Sequence, residues 1–401
     1  MGTPHWRRTL SVLVLGQGLT SLGFSFPFPF MPLYLQELGV ADLGTAAIWA
    51  GVLMAAQGIS IGAMGPVWGR LADQRGRKPM LVRSFLGAGF FVTMMGFARS
   101  PLDLLFLRFV QGAFSGTISS ASALAVAVAP SDRRGHVLGM IQLSVWLGGS
   151  LGPPLGALTA GLLGYRTCFW IAGTLMLAAG VASLVVAHEP PREPRETQRP
   201  RGAARADMRR ALPVLLAVCF AEIAFQAQNP ILPLFAAAAI VPGENPAPLT
   251  GWLFGAAAVA GAVGSATLGR WSDRLGYRRT LICTAAACGA LFVAHALTHE
   301  PALMLVLRAT TGFVFGGLMA SMNALLATRA GSASLGLAYG FGEVARSGGR
   351  ILGPVGAATL AAWLGLGAGF LYAAAALFVV VLVTLAMRTD PWPDELQDAP
   401  R

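Results

Sequence analysis

Apolar runs of 18 or more residues recur along the whole chain, and they limit its fold most because such runs are the signature of membrane-spanning helices. Only 12% of the 401 residues are charged, whereas a soluble domain usually carries about 25%. Backbone groups in lipid must be hydrogen-bonded internally, so each run is expected to form a helix. The twelve predicted segments are 10–35, 45–68, 79–98, 102–128, 136–161, 166–187, 211–238, 249–269, 280–298, 301–328, 334–362 and 364–387.

The two halves of the chain carry the same landmarks in the same order. The loop GRLADQRGRK, which begins at Gly69, returns as GRWSDRLGYRR at Gly269, and LRFVQGAFSG around Arg108 returns as LRATTGFVFGG around Arg308. The stretch GGSLGPPLG returns as GGRILGPVG with one residue of slippage. An internal duplication explains this order, and two parallel six-helix repeats with a substrate site at their interface form a transporter architecture. The predicted fold is an all-α membrane protein of twelve transmembrane helices in two such repeats.

The distribution of arginine predicts the orientation. A net charge of +11 could indicate a nucleic-acid partner, but the basic residues cluster in the connections between apolar segments, so no nucleic-acid partner is expected. One set of connections holds nearly all of them, and the positive-inside rule puts that set and both termini in the cytoplasm of a bacterial-type inner membrane. The predicted boundaries are an N-terminal bundle at 1–188, a flexible, charged cytoplasmic linker at 189–210, a C-terminal bundle at 211–388 and a cytoplasmic tail at 389–401.

Three motifs resemble those of one transporter family. The loop GPVWGRLADQRGRK (65–78) resembles the signature loop of the major facilitator superfamily, and RFVQG (108–112) resembles a second motif of that family. GMIQLSVWLGGSLGPPLGA (139–157) is similar to the motif of its proton-coupled drug antiporters, with Ala157 where the pattern often has Gly. The resemblance covers nearly the whole chain.

The resemblance implies a secondary transporter that exports small amphipathic or cationic compounds in exchange for protons, as multidrug efflux proteins do. It implies no enzyme activity and no cofactor besides the proton gradient, and we expect a monomer whose partners are a small-molecule substrate, protons and membrane lipids. One alternative is an exporter of a sugar, a siderophore or a lipid precursor. An alternative of another class is a membrane sensor or scaffold that does not transport. The four cysteines show no CxxC spacing, so no metal site is expected.

The duplicated loop is the candidate conformational latch. The Asp73 carboxylate can accept backbone N–H bonds or pair with arginines, and such contacts can form in one conformation and break in another. The alternative is that the cations of this loop only set the topology. The predicted latch residues are Gly69, Arg70, Asp73, Gly76 and Arg77, with Arg270 and Asp273 in the second copy.

The fifth segment carries the antiporter motif, whose predicted residues are Gly148, Gly152, Pro153 and Gly156. Proline removes one backbone hydrogen bond and permits a bend. The resemblance implies a pliable, tightly packed helix at the domain interface that limits leak. Ordinary packing of small residues is the alternative.

Two acids, Glu222 and Glu343, lie inside predicted helices. At 1.5 Å per residue they lie about 16 and about 15 Å from the expected helix entries, near the midplane, where a charge costs about 2.5–3.5 kcal/mol on insertion scales. Glu343 can pair with Arg346 on the same helix face, so a static ion pair is an open alternative for it. Glu222 has no basic neighbour within a turn or two, which favours Glu222 as the main proton carrier and Glu343 as the second.

Arg108 and a set of aromatic and polar side chains complete the predicted site. The resemblance implies a role for Arg108 in proton relay, and the alternative is an arginine that snorkels or binds carbonyl groups. Aromatic walls with few polar groups suit bulky amphipathic substrates, although aromatic residues also face lipid and neighbouring helices. The candidate substrate-binding residues are Gln17, Phe24, Phe28, Trp146, Phe225, Gln226, Asn229, Asn323, Tyr339 and Arg346.

Overall fold

The computed structural model describes residues 6–130, 133–189, 201–241, 244–298 and 300–387. Within these ranges it does not describe the side chains of residues 66, 73, 134–136, 201–211, 327 and 330–340. The helices of the described part are α1 (Trp6–Ser25), α2 (Met31–Glu37), α3 (Leu43–Arg75), α4 (Arg77–Met95), α5 (Pro101–Ala113), α6 (Thr117–Val128), α7 (Arg134–Leu163), α8 (Tyr165–Val186), α9 (Arg201–Ala227), α10 (Leu232–Ala239), α11 (Ala247–Leu275), α12 (Tyr277–Leu297), α13 (Pro301–Leu364) and α14 (Gly367–Ala386).

Eight helical stretches of the described residues are long and apolar enough to cross a membrane. They correspond to the first, second, sixth to tenth and twelfth predicted segments. The remaining predicted segments are present as α4, as the pair α5 and α6, as α7 and as the second arm of α13. Two of these four are less hydrophobic or shorter for a clear reason: α4 carries three cations, and the fourth segment is divided into helices of 13 and 12 residues.

Helix α13 is one helical run of 64 residues, where the sequence predicts two separate helices. The Arg346 Nη2 atom donates to the Asn323 Oδ1 atom at 2.7 Å, although in a straight helix these residues would lie about 34 Å apart. The run therefore folds back on itself between Asn323 and Arg346, and its two arms correspond to the tenth and eleventh predicted segments.

The first and seventh predicted segments are broken at the same place in each half. Residues 26–30, which contain Pro27 and Pro29, separate α1 from α2, and residues 228–231, which contain Pro230, separate α9 from α10. Proline lacks the N–H that an uninterrupted helix needs, so both breaks follow from the sequence. At its other end α9 begins at Arg201, so the structure is helical over 201–210, where a flexible tether was expected. That stretch is rich in alanine and arginine, which are strong helix formers.

The two halves meet at the end of the molecule that carries few arginines. Gly44, Gly51, Gly58 and Gly65 recur every seven residues, so they lie along one face of α3. A methyl group added at Gly44, Gly51 or Gly58 would come within 3.2 Å of atoms in α13, whereas one added at Gly65 would meet no atom of the described residues within 4 Å. The bundles thus diverge toward the arginine-rich end of α3, and the space between them opens at that end.

Candidate functional site

Glu222 lies near the end of α9 and is buried, with 8% of its surface exposed. The second arm of α13 packs closely against it, because a methyl group added at Gly349 would lie 2.5 Å from the Glu222 Cβ atom. The Gln226 Nε2 atom donates a hydrogen bond of 2.7 Å to the Glu222 Oε1 atom. This bond compensates part of the cost of removing the carboxylate from water.

Arg350 is the basic partner of Glu222, and sequence spacing could not reveal it. Its Nε atom lies 3.7 Å from the Glu222 Oε1 atom, so Glu222, which has no basic neighbour within a turn or two along the sequence, is nevertheless paired with a cation from another helix. The fold-back of α13 brings this arginine from a different helix. The signal in the sequence was indirect: Arg350 follows Glu343 by seven residues on the same helix face.

Glu343 also pairs mainly with Arg350. The Arg350 Nη1 atom donates to the Glu343 Oε1 atom at 2.7 Å, whereas Arg346, the predicted partner, approaches Glu343 only to 4.0 Å. The guanidinium of Arg346 instead donates to Asn323 on the other arm of α13. The static pair between Glu343 and Arg346 is therefore the weaker of the two contacts.

These contacts join into one continuous set, because Asn229 also donates to the Gln226 Oε1 atom at 2.7 Å. Two carboxylates and two guanidinium groups are included, so their charges balance when all four are ionised. The set runs from a buried acid to an open one: the Glu222 side chain is 11% exposed and the Glu343 side chain is 56% exposed. We call this set the charge network, and its members are Glu222, Gln226, Asn229, Asn323, Glu343, Arg346 and Arg350.

The predicted aromatic lining divides into two groups. Phe225, next to Gln226 on α9, is 41% exposed and stacks on Phe315 with ring centroids 5.1 Å apart, and Trp146 on α7 is 43% exposed. Phe28, in contrast, is only 7% exposed and contacts other first-half residues. It therefore belongs to the packing of the first bundle rather than to an open wall.

Phe24 and Gln17 also make their described contacts inside the first half. Phe24 stacks on Phe28 at 5.9 Å. Gln17 is buried and its Nε2 atom donates to the Ser21 hydroxyl at 3.2 Å. The structure does not bring them to the charge network, and the Tyr339 side chain lies outside the part of the chain that the structure describes.

Arg108 is buried on α5 rather than extended to an interface, so it does not snorkel. Its guanidinium carbon lies 3.6 Å from the centre of the Phe28 ring, and its Nη1 atom donates to the Gln111 Oε1 atom at 3.2 Å. Arg308 occupies the repeat-equivalent place, is equally buried and donates to Gln228 at the break between α9 and α10. The sequence analysis predicted no role for Arg308, although the repeat identifies it as the counterpart of Arg108.

The loop between α3 and α4 is held by Glu189, a residue of the predicted linker. Gly76 has a φ of 107°, and the Glu189 carboxylate accepts hydrogen bonds from the backbone N–H groups of Arg77 (2.7 Å) and Lys78 (3.0 Å). Glu189 therefore caps the start of α4, where helix N–H groups lack partners and a negative charge is favourable. Arg77 also donates to the Ala123 carbonyl oxygen at 3.0 Å, which ties the loop to α6.

The predicted latch contacts of Asp73 stay a prediction, because its side chain lies outside the described residues. Gly69 and Arg70 are exposed, and so are Arg270 and Asp273 in the second loop. There Asp273 accepts a hydrogen bond of 2.9 Å from the Tyr277 hydroxyl. The two copies of the loop thus share a backbone turn but use different side-chain contacts.

The antiporter motif packs on two sides. Methyl groups added at Gly148, Gly152 and Gly156 would collide with α1 or the break after it, and the Ser25 hydroxyl donates to the Gly148 carbonyl oxygen at 2.9 Å. The proline side of α7 faces the second half, where a methyl group on Gly255 would lie 2.6 Å from the Pro154 ring. Pro153 and Pro154 lie inside a helix that continues to Leu163.

Comparisons with known proteins agree with this architecture. The Major Facilitator Superfamily model matches residues 13–240 and 214–401. The chain is 29% identical to the "Multidrug resistance protein MdtG" of Escherichia fergusonii over 374 residues, which is 92% of either chain. Its fold is similar to that of a bacterial homologue of the human lysosomal transporter Spinster in an inward-facing, unoccupied conformation (TM-score 0.81, 15% identity, 98% of this chain and 100% of that chain). It is also similar to the nucleoside transporter NupG (TM-score 0.77, 15% identity, 95% and 99%).

Proposed function

Because the chain belongs to the major facilitator superfamily, a family of multi-pass membrane transporters with twelve helices in two repeats, we propose that it exports small amphipathic or cationic compounds in exchange for protons. The observation that carries this proposal is the charge network, in which the buried Glu222 is joined through Arg350 to the exposed Glu343. Charges inside a membrane are costly and are usually functional. The relative named as a multidrug resistance protein supports the same substrate class.

Glu222 and Glu343 are the proposed proton carriers. A proton-coupled exporter needs a carboxylate that gains and loses a proton as access alternates between the two sides. Glu222 is shielded from bulk solvent yet linked by hydrogen bonds to the half-buried Gln226 and Asn229 and through Arg350 to the exposed Glu343, which suits that role. Arg108 is held in place by Gln111 and the Phe28 ring. It is suited to act as an immobile positive charge in the first bundle that influences the path of the proton.

The proposed orientation places the open, arginine-rich end of the molecule on the cytoplasmic side. The arginine-rich connections are cytoplasmic by the positive-inside rule, as are both termini. The space between the bundles then opens toward the cytoplasm, the side from which an exporter loads its substrate. The contacts of Arg77 with Ala123 and of Glu189 with α4 lie at this end, so they fit a latch that holds parts of the first bundle together while the two bundles rock.

Reconstitution tests the proposal. The purified protein is inserted in liposomes, a pH gradient is imposed, and uptake of a panel of cationic dyes and sugars is followed. Proton-driven accumulation of the dyes, abolished by Glu222→Gln, is the expected outcome. Accumulation of sugars alone supports the alternative exporter, and no movement of any compound under either gradient direction supports a sensor or scaffold.

A further inference from the structure

Resting on the proposed function, we propose that Arg350 makes a proton at Glu222 and a substrate cation at Glu343 mutually exclusive. Arg350 then acts as a positioning residue that converts protonation of one carboxylate into occupation of the other. This arrangement of side chains would produce exchange of proton and substrate rather than cotransport.

The geometry places one guanidinium between two carboxylates. The Nη1 atom of Arg350 is hydrogen-bonded to Glu343 at 2.7 Å, and its Nε atom lies 3.7 Å from Glu222. These nitrogens lie on different parts of one planar fork, so a small rotation changes the share that each carboxylate receives. Gly349 and Gly353 permit α13 to approach α9 closely enough for both contacts.

The surroundings of Glu222 leave Arg350 as its main charged partner. From α13, Arg350 lies 3.7 Å from the Glu222 carboxylate, and Arg346 and Glu343 act on it electrostatically to a smaller extent. On α9 itself, Cys219 lies one turn before it and Gln226 donates to it. From α14, the Tyr372 hydroxyl donates to the Leu352 carbonyl oxygen and not to Glu222.

The two protonation states of Glu222 then give two states of Glu343. When Glu222 is ionised, both carboxylates attract Arg350, so Glu343 retains negative charge that can attract a substrate cation. When a proton from water binds the Glu222 carboxylate, Arg350 is attracted only by Glu343 and neutralises it. Arg346 contributes less at Glu343, because its Nη2 atom is hydrogen-bonded to Asn323 and its Nη1 atom approaches Glu343 only to 4.0 Å.

Exchange follows directly from this competition. The state that holds a proton at Glu222 has its open carboxylate covered by Arg350 and releases the cation. The state that has lost the proton exposes the carboxylate and binds the cation. The proton and the cation therefore bind different carboxylates, but binding of either one lowers the affinity of the protein for the other.

Binding measurements on four forms of the full-length protein in lipid nanodiscs test the inference: wild type, Glu222→Gln, Arg350→Gln and the double variant. The probes are tetraphenylphosphonium and ethidium, at pH 5.5 and pH 8. We expect wild type to bind more weakly at the lower pH and Glu222→Gln to bind weakly at both, by about tenfold, given typical couplings between close charges. Adding Arg350→Gln to Glu222→Gln should restore tight binding, because the competing cation is gone.

The outcomes separate the two proposals. Wild type that binds neither probe, or binds both equally at the two pH values, overturns the proposed function and the inference together. Wild type that is pH-dependent while the double variant binds as weakly as Glu222→Gln overturns the inference alone. Arg350→Lys, which keeps the charge, should keep the direction of the pH effect, and it serves if Arg350→Gln lowers the unfolding temperature too far for binding to be measured.

Discussion

The contact of α7 with α1 in the first half and the contact of α13 with α9 in the second are two copies of one packing arrangement with different chemistry. A methyl group on Gly148 would approach Ser21, and one on Gly349 would approach Glu222 at the equivalent place. The glycines are retained in both copies, so the helices approach equally closely.

The charges are present in only one of these copies. With the single residue of slippage, the counterparts of Glu222, Glu343, Arg346 and Arg350 in the first half are Ser21, Gln142, Val145 and Gly149. Every charged member of the network therefore has a neutral counterpart. The duplication thus supplies the scaffold, whereas the charged groups of the network belong to the second half and are not required for the helices to pack.

The largest expected effect concerns the charge itself. Glu222→Gln removes the titratable group and should abolish uphill transport driven by a pH gradient, while passive exchange of substrate persists. Proton-driven dye uptake into inverted vesicles is the measurement. Ser21→Ala, the matched change in the first half, should retain most of the wild-type rate. Equal loss in both variants would contradict the division of roles between the halves.

The next effect concerns the shared packing. Gly148→Ala should destabilise the protein by about 1–3 kcal/mol, because the added methyl group meets backbone atoms of α1 that cannot move aside independently. The adjacent Gly149→Ala should be nearly neutral, since no atom of the described side chains or backbone lies within 4 Å of the added methyl group. Thermal unfolding in detergent measures both, and similar midpoints for the two variants would remove the packing argument.

Much of this fold could be predicted from the sequence. The apolar runs and the repeat lead to the two six-helix bundles. The breaks at Pro27, Pro29 and Pro230 were not among the predictions, although the missing N–H of proline accounts for them. The placement of Glu222 in a helix follows from the same runs. These features depend on local composition, which a sequence displays directly.

The partners of the site residues could not be predicted in the same way. Arg350 reaches Glu222 only because α13 folds back and lies against α9, and Glu189 reaches the start of α4 only because α8 returns to that end of the bundle. Such contacts depend on how helices are arranged rather than on spacing along one helix. Neighbour rules within a helix predicted Arg346 for Glu343 and missed the shorter contact with Arg350.

A smaller effect is expected at the fourth predicted segment, which is broken into two helices in the first half, whereas its counterpart in the second half is continuous. The fourth predicted segment breaks after Ala113, whose carbonyl oxygen accepts from the Trp68 indole at 2.6 Å and from Arg83 at 3.4 Å. The repeat-equivalent residues are Leu268 and Cys283, and the matching stretch of α13 is continuous. Trp68→Leu should therefore reduce transport severalfold with a stability loss of about 1–2 kcal/mol, since a half-buried carbonyl loses its best donor. Leu268→Ala, a truncation at the matched position, should lower stability without a specific loss of turnover per folded molecule.

The smallest expected effect concerns the carboxylate that caps α4. Glu189 accepts hydrogen bonds from the first two N–H groups of that helix, whereas Glu300, which precedes α13 in the second half, makes no side-chain capping bond. Glu189→Ala should lower stability by about 0.5–2 kcal/mol, the usual range for a lost helix cap. Glu300→Ala should change it by a few tenths at most, as surface substitutions usually do. Unfolding midpoints of the two variants, measured at low and high salt, test the difference, because interaction of a charge with a helix terminus is screened by ions. Equal midpoints at low salt would mean that the Glu189 contact does not contribute to folding, and would leave the contact of Arg77 with Ala123 as the described tie between this loop and α6.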